Sequence, residues 1–243
     1  MKKYNWLLIL LLLTLVGVSI FLIVYFTTKK SNGGITGGPS PRELYDYDPE
    51  PIRNYKPQIF ENFLTHEECD YIIEKAKPNM KRSIVMGNTG DEVQSYRTST
   101  QLFIDQKKDP KLLDIAKRMS NVTGKPVKNQ ENMQVLKYEP GQQYKEHYDA
   151  CGENSPYCIS DSKMGGKRWN TLFIYLNDVD SGGETYFPKL DLKVKPRKGR
   201  ALLFYNLEED LWTQHHLSMH AGLPLVKGEK WAMNVWSRCG EYK

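Results

Sequence analysis

The sequence predicts an α+β fold, with helices first and a β-sandwich or β-barrel after them. Two segments before residue 124 have the capping residues and apolar spacing of amphipathic helices. From Met133 onward, short runs rich in β-branched and aromatic residues alternate with turns rich in Gly, Pro, Asn and Asp. Helices followed by many short strands are typical of an α+β domain.

The N-terminal segment is expected to be a membrane anchor. Residues 6–26 form an uncharged apolar run whose length suits a helix that crosses a bilayer, with Trp6 and Tyr25 near its two ends. A cleaved signal peptide is the alternative. However, the run is longer than a typical signal-peptide core and no A-x-A-like site follows it. We therefore expect residues 1–30 to be a single-pass transmembrane signal-anchor.

The domain is expected on the luminal side of the endoplasmic reticulum or outside the cell, because a very short tail precedes the apolar run and a large domain follows it. Cys151 and Cys158 could close a disulfide, and Asn121-Val-Thr123 is an N-glycosylation acceptor, which would make the protein a glycoprotein. Free thiols and a chance tripeptide are the alternatives. The net charge of +5 is mild and does not indicate nucleic-acid binding.

The two helices and the domain boundary follow from local signals. Residues 31–50 include SNGGITGGPSP and are expected to be a flexible linker, so that the folded domain spans 51–243. The first helix begins at Thr65, which opens the capping box T-H-E-E ahead of CDYIIEKAK. The second begins after Asp109, which precedes a proline and the periodic segment KLLDIAKRM.

The strands are predicted from composition and from the turn signals between them, which are EPGQ, NDVDSGG, KPRKG and VKGEK. Many short strands with such punctuation favour a sandwich or a barrel. The predicted strands are MQVLKY, TLFIYLN, TYFP, LKVKP, RALLFYN and WAMNVWS.

A metal site is suggested by His147 and Asp149 in YEPGQQYKEHYDA, because residues two apart in a strand point to the same face. A third ligand must come from elsewhere in the chain. His220, just before a strand-like segment, is the best candidate. The remaining histidines lie in a helix start or a polar stretch and are His66, His215 and His216.

Two imidazoles and one carboxylate leave three open positions on an octahedral ion, which suits non-haem Fe(II). Zinc is the alternative for the same ligands. The H-x-D pattern alone is a weak signal. Lys230 strengthens it, because an enzyme that uses 2-oxoglutarate needs a buried cation for the far carboxylate. We expect the strand that Lys230 begins to run beside the strand of His220. The alternative is a lysine in a solvent-exposed turn.

Four segments resemble the catalytic domain of the collagen-type prolyl 4-hydroxylases, most closely the short single-domain forms of plants, algae and large algal viruses. The segments are YEPGQQYKEHYD, RWNTLFIYLNDVDSGGETYFP, KPRKGRALLF and HAGLPLVKGEKWAMNVW. The resemblance covers residues 57–240. It implies a double-stranded β-helix (jelly-roll) core near 131–240, with supporting N-terminal helices, preceded by one transmembrane helix.

The resemblance also implies roles for individual residues. The implied iron ligands are His147, Asp149 and His220. Lys230 would bind the 5-carboxylate of 2-oxoglutarate, and the hydroxyls that assist there belong to Tyr138 and Thr185. The residues that match the peptide groove, or precede the core, are Tyr144, Arg168, Trp236 and Arg97. Trp236 and Arg168 also have ordinary alternatives, as a core residue and a solvated turn residue. Related short forms have His where this chain has Arg238.

The implied reaction is hydroxylation of peptidyl proline at C4, with Fe(II), O2 and 2-oxoglutarate, releasing succinate and CO2. Ascorbate is a further implied cofactor. The expected substrate is a proline-rich, polyproline-II-like chain. Two alternatives remain at this point: a 2-oxoglutarate dioxygenase with another target, such as peptidyl lysine or a free amino acid, and a non-catalytic, membrane-tethered jelly-roll binding module.

Overall fold

The computed structural model describes residues 55–83, 85–87, 90–92, 96–153 and 155–243. The expected anchor over 6–26, the expected linker over 31–50 and the start of the domain lie outside these residues. Over the ranges described, no helix has the length and apolar character needed to cross a membrane.

Three α-helices are present in these ranges: α1 at His66–Ala76, α2 at Pro110–Thr123 and α3 at Pro156–Ser162. The predicted capping box of α1 is confirmed, because Glu68 and Thr65 each bond the other's backbone N–H through the side chain. Asp109 caps α2 through the N–H groups of the first helical turn. Gly124 ends α2 in the left-handed conformation that favours glycine.

Within the described residues, the strands form two main sheets and two two-stranded pairs. A seven-stranded antiparallel sheet has the order β1-β12-β8-β15-β6-β5-β2, and a four-stranded sheet has the order β11-β10-β13-β7. The pairs are β14 with β9 and β3 with β4. The strands are β1 Gln58–Phe60, β2 Lys81–Arg82, β3 Val85–Gly87, β4 Gly90–Glu92, β5 Thr100–Ile104, β6 Met133–Tyr138, β7 Tyr144–His147, β8 Arg168–Tyr175, β9 Ser181–Gly182, β10 Thr185–Phe187, β11 Leu192–Val194, β12 Ala201–Tyr205, β13 His220–Gly222, β14 Leu225–Lys227 and β15 Lys230–Arg238.

Side-chain alternation along β15 separates two buried layers. Trp231, Met233 and Val235 belong to the apolar cluster that joins the large sheet to α1 and α2. The opposite face carries Lys230, Asn234 and Trp236 toward the four-stranded sheet, where a second apolar cluster fills the space between the two sheets. The layers are therefore helices, large sheet and small sheet, which is the architecture of a jelly roll with supporting helices.

The predicted strands are all present, although the structure adds elements that the sequence did not predict. Strand β5 extends the large sheet beside β6. Helix α3 begins shortly after Cys151 and contains Cys158. Cys151 and Cys158 are joined by a disulfide. Asn121 lies exposed in the last turn of α2, and its glycosylation stays a prediction.

Candidate active site

Strands β7 and β13 bring two histidines together. The antiparallel pairing sets His147 at the end of β7 opposite His220 at the start of β13. Their ring centroids lie 4.3 Å apart. Directly opposed residues on one face of an antiparallel pair are close neighbours, so backbone pairing alone places the two imidazoles within reach of one ion.

Asp149 completes the cluster, but not from within the strand. Strand β7 ends at His147, and Asp149 lies in a bend two residues further on. The expectation that His147 and Asp149 point to the same face of one strand is therefore wrong, because Asp149 lies outside the strand. The chain turns after His147, and this turn aims the carboxylate back at the rings. Its oxygens lie 3.7 Å from His147 Nε2 and 3.8 Å from His220 Nε2. The three donor atoms all lie within 4.8 Å of one another.

The ring orientation of both histidines leaves Nε2 available to a metal ion. His147 Nδ1 lies 2.7 Å from the carbonyl oxygen of Lys145, and His220 Nδ1 lies 2.9 Å from that of Ser218. A carbonyl accepts only from a protonated nitrogen, so Nδ1 carries the proton in each ring. A metal-binding imidazole typically has such a partner on its other nitrogen.

Asp149 is oriented in the same way. Thr171 Oγ1 donates to Asp149 Oδ2 at 2.7 Å, and Asn206 Nδ2 donates to Thr171 Oγ1 at 2.9 Å. Burial raises the pKa of the Asp149 carboxyl, but the imidazoles of His220 and His147 outweigh it and hold this pKa below its ordinary value. Burial and the neighbouring His220 lower the pKa of His147. The lowered pKa of Asp149 favours a carboxylate and the lowered pKa of His147 favours a neutral imidazole, which are the protonation states that a metal ion requires.

A second group of donors within the described residues, Glu208, His215 and His216, lacks this preparation. The His215 ring is buried and stacks on Tyr55 with ring centroids 3.8 Å apart, and among the described residues its Nδ1 has no hydrogen-bond partner. The tautomer of His215 is therefore not fixed through Nδ1 as the tautomers of His147 and His220 are. The contrast between the two groups favours His147, Asp149 and His220 as the metal site.

Lys230 is buried with an exposed fraction of 2%. Its Nζ donates to the carbonyl oxygen of Gly183 at 2.6 Å and lies 5.2 to 5.5 Å from the centroids of three aromatic rings, those of Tyr138, Phe173 and Tyr175. In the described part of the chain this ammonium has no ion-pair partner, and burial lowers the pKa of Lys230 to about 7. A buried cation in this state is prepared to receive an anion.

The neighbourhood of Lys230 differs from the expectation in one respect. The strand that it begins, β15, pairs with β8 and β6, whereas the strand of His220 pairs with β10 and β7. The two strands lie in different sheets and are not neighbours. Lys230 lies beside Tyr175 and His220 lies beside Phe204, and these two aromatic residues belong to one buried cluster.

Tyr138 lies beside Lys230, and Thr185 lies on the strand that pairs with the strand of His220. Tyr138 is directly opposite Lys230 in the sheet, and Thr185 is opposite Gly222, two residues after His220. A Cβ atom on Gly222 would lie 4.0 Å from the Tyr138 hydroxyl. Thr185 Oγ1 accepts a hydrogen bond of 2.6 Å from Tyr175. The structure thus brings the expected co-substrate residues into one buried region.

The chain is similar to proteins of known class. Residues 133–238 match the model of the 2OG-Fe(II) oxygenase superfamily. Over 239 residues the chain is 36% identical to a probable prolyl 4-hydroxylase 3 of Arabidopsis thaliana, covering 89% of this chain and 78% of that protein. The chain belongs to the prolyl 4-hydroxylase family. It is a 2-oxoglutarate-dependent dioxygenase with iron(II), 2-oxoglutarate and ascorbate as cofactors.

Two viral proteins extend this likeness. The hydroxylase is 37% identical over 183 residues to a putative prolyl 4-hydroxylase of Acanthamoeba polyphaga mimivirus, which covers 75% of this chain and 74% of that protein. The crystal structure of a viral collagen prolyl hydroxylase from Paramecium Bursaria Chlorella virus-1, a 2OG complex, aligns with a TM-score of 0.59 and 29% identity. That alignment covers 76% of this chain and 96% of the viral one.

The residues expected to contact peptide line one cavity together with His147 and Asp149, and its volume is about 550 Å³. Tyr144 lies flat on His147, with ring centroids 3.5 Å apart, and the Arg97 guanidinium lies 4.8 Å from the centroid of the Tyr144 ring. Across the cavity, the Arg168 guanidinium stacks on Trp236 at 3.6 Å. These residues therefore support the walls of the hydroxylase cavity as well as lining it.

Arg168 is held by a residue that the sequence did not single out. Glu131 accepts from Arg168 Nε at 2.7 Å and from Nη2 at 2.9 Å. The remaining end, Nη1, donates to the carbonyl oxygen of Asp149 at 3.3 Å. Glu131 thus positions Arg168 against the proposed metal ligand. No sequence pattern distinguishes Glu131, because a glutamate just before a strand is common at protein surfaces.

Arg238 is buried, with an exposed fraction of 1%, and faces inward. It donates to Glu131 Oε1 at 2.8 Å, to both carboxylate oxygens of Asp161 at 2.7 and 3.1 Å, and to the carbonyl oxygen of Gly166 at 2.7 Å. These bonds connect β15 to α3, which carries Cys158 of the disulfide. Arg238 therefore stabilises the cavity wall through internal ion pairs.

Replacement of Thr171 by valine is expected to weaken metal binding. The variant removes the hydroxyl that orients Asp149, and the loss of such an outer hydrogen bond typically reduces metal affinity by about 10- to 100-fold. Anaerobic titration with Fe(II) against a competing chelator measures the change. Thr123→Val is the matched control, because Thr123 is also buried but bonds a carbonyl at the end of α2. Equal affinities for Thr171→Val and wild type would contradict the assignment.

Replacement of Arg238 by methionine is expected to lower the free energy of unfolding by roughly 3 to 5 kcal/mol, because Glu131 and Asp161 would keep buried charges without their partner. Urea denaturation measures it. Lys117→Met serves as the control, since Lys117 pairs with Asp114 at an exposed position and its loss should cost less than about 0.5 kcal/mol. Similar stabilities of the two variants would show that the network contributes little.

Proposed function

We propose that this chain hydroxylates peptidyl proline at C4, with His147, Asp149 and His220 as the iron ligands. Lys230 binds the far carboxylate of 2-oxoglutarate, with the hydroxyls of Tyr138 and Thr185 beside it. Tyr144, Arg168, Trp236 and Arg97 form the region that receives the peptide. The observation that carries the proposal is a two-histidine, one-carboxylate cluster in the same domain as a buried ammonium that has no ion-pair partner among the described residues.

The cofactors supply the oxidising chemistry. When bound, iron(II) with 2-oxoglutarate and O2 converts a C–H bond to an alcohol and releases succinate and CO2. The residues of the chain supply orientation and a dry pocket. The carbonyls of Lys145 and Ser218 hold the two rings with Nε2 toward the ion, and Thr171 holds the Asp149 carboxylate.

Lys230 fixes which way the co-substrate lies. Its ammonium is 2% exposed and surrounded by aromatic rings, so a carboxylate that reaches it exchanges water for a charge-assisted hydrogen bond in a low-dielectric pocket. His147, Asp149 and His220 would hold the iron ion that the opposite end of the co-substrate would bind. Phe204 and Phe187 flank His220, at 4.8 and 5.8 Å between ring centroids, and exclude water on that side.

The peptide region suits an extended proline-rich chain. The cavity beside His147 is lined by aromatic rings together with polar side chains, and the Arg168 and Glu131 charges that border it neutralise each other. An uncharged polyproline-II chain carries rigid apolar rings and loses little conformational entropy on binding. A groove with aromatic walls and paired charges therefore favours it over a chain bearing free lysines.

The placement of the domain in the cell is part of the proposal. An anchor over residues 6–26 would tether it to the membrane, with the domain in the lumen of the endoplasmic reticulum or outside the cell. The Cys151–Cys158 disulfide supports an oxidising compartment. Protection of the domain from added protease in sealed microsomes tests this, and rapid digestion would reject it.

The proposed activity is tested with the full chain, Fe(II), 2-oxoglutarate and ascorbate. Incubation with a proline-rich peptide should yield a peptide heavier by one oxygen atom, located at proline C4 by fragmentation and by comparison with authentic 4-hydroxyproline. Succinate should appear in equal amount. A lysine-rich peptide serves as the parallel substrate. Hydroxylation of that peptide in preference to the proline-rich one would overturn the assignment of the target.

Replacement of Lys230 by methionine is expected to raise KM for 2-oxoglutarate by at least about 30-fold. Loss of one partner of a buried charge pair costs roughly 2 kcal/mol or more. Succinate release at varied 2-oxoglutarate measures it. Lys227→Met is the control, because Lys227 forms only an exposed pair with Asp180. An unchanged KM in Lys230→Met would remove Lys230 from the co-substrate site.

A further inference from the structure

The bend that carries Asp149 is held through its backbone carbonyls by side chains from other parts of the chain. We call residues 149–151 the ligand bend. Each of its three carbonyl oxygens accepts from a different side chain. The pairs, acceptor first, are Asp149 with Arg168 Nη1 at 3.3 Å, Ala150 with Gln214 Nε2 at 2.6 Å, and Cys151 with Lys167 Nζ at 3.2 Å. Buried backbone carbonyls need partners, so these side chains decide where the bend lies.

Two of these donors join the ligand bend to the connection between β12 and β13, residues 206–219, which leads to His220. Gln214 lies within this β12–β13 connection. Lys167 reaches the connection with the same ammonium that holds the bend, because its Nζ also donates to the carbonyl oxygen of Trp212 at 2.6 Å. The segment that contains one metal ligand is therefore tied at two points to the segment that precedes another.

The β12–β13 connection has internal hydrogen bonds that allow it to transmit this position to His220. The Asp210 carboxylate accepts from the backbone N–H groups of Trp212 and Thr213, each at 2.8 Å. Further along, a short 3-10 helix at His216–Ser218 ends with the carbonyl that accepts from His220 Nδ1 at 2.9 Å. A shift of the connection relative to the ligand bend would therefore change the distance between the two metal ligands.

The burial of Lys167 is unusual for a lysine, because its exposed fraction is 1% and it forms no ion pair within the described residues. Its acceptors are two neutral carbonyls, and Nζ also lies 4.2 Å from the centroid of the Trp212 ring. Removing an ammonium from water costs free energy that neutral acceptors offset only in part. An ammonium has three N–H donors, so one lysine can hold two chain segments together, which an apolar side chain of its size cannot do.

We propose that Lys167 and Gln214 are positioning residues of the iron site, which fix Asp149 relative to His220 by joining the ligand bend to the β12–β13 connection. The inference rests on the proposed function, because it takes the cluster of two histidines and one aspartate as the iron site. Without these two donors the bend keeps the Cys151–Cys158 disulfide, which ties it to α3 and not to the strand of the second histidine. The two donors therefore hold the ligands in place before a metal ion binds.

Replacement of Lys167 by methionine is expected to lower the affinity of the full chain for Fe(II) by about tenfold, because the loss of a contact that orients a metal ligand has effects of about 10- to 100-fold. Anaerobic titration with Fe(II) against a competing chelator measures the change. Lys125→Met is the matched control, because Lys125 is 2% exposed and also donates to a backbone carbonyl, that of Cys239 at 3.1 Å, outside both segments. It should lower the free energy of unfolding in urea by a similar amount and keep the Fe(II) affinity within about twofold of wild type.

A second measurement does not involve the metal. Hydrogen–deuterium exchange of the metal-free full chain should be faster in Lys167→Met than in wild type over residues 149–153 and 206–216, and unchanged there in Lys125→Met. Gln214→Met removes the donor to the Ala150 carbonyl from a partly exposed position. This variant should show faster exchange in the same two segments and a smaller loss of Fe(II) affinity, and it carries the test if Lys167→Met does not fold.

The outcomes separate the inference from the proposed function. Unchanged Fe(II) affinity in both Lys167→Met and Gln214→Met, or an equal loss in Lys125→Met, would show that these side chains only stabilise the domain, and the inference would be wrong. The proposed function would then stand if wild type hydroxylates the proline-rich peptide. If Asp149→Ala binds Fe(II) as tightly as wild type, the cluster is not the iron site and both proposals fail together.

Discussion

The antiparallel pairing of two very short strands, β7 and β13, is the constraint on which the candidate site depends. It sets His147 opposite His220, so the distance between the rings follows from backbone hydrogen bonds and not from side-chain flexibility. A shift of one residue in this register would send one imidazole to the opposite face of its strand. A bend after β7 then brings Asp149 to the same point, where the Thr171 hydroxyl donates to its carboxylate.

The buried charges of the hydroxylase fall into two kinds with different physical roles. Arg168 and Arg238 have carboxylate partners within the protein, and their hydrogen bonds hold the cavity wall and the segment that carries the disulfide. Among the described residues, the hydrogen-bond partner of the Lys230 ammonium is the backbone carbonyl of Gly183, and it has no carboxylate partner. Desolvation makes its charge costly, and this cost is removed when an anion binds. The first kind maintains shape, whereas the second provides affinity for a ligand.

The inner face of β15 connects these features along one strand. Lys230 lies at its deep end, Asn234 and Trp236 border the cavity, and Arg238 closes the outer end. Since alternate residues of a strand share a face, one strand supplies the co-substrate cation, the candidate peptide contacts and the structural arginine. The rigid central position of β15 between β6 and β8 keeps their spacing constant.

The sequence by itself determined the local elements, the strands of the core and the set of candidate ligands. Capping at Thr65 and Asp109 and the strand-like composition of the β15 segment are local properties, so they can be read from neighbouring residues. Only the tertiary structure decided that Asp149 reaches the metal cluster from a bend and that β15 and β13 belong to different sheets. It also decided that Arg238 forms internal ion pairs with Glu131 and Asp161. These facts depend on contacts between residues far apart in the chain, for which no local pattern exists.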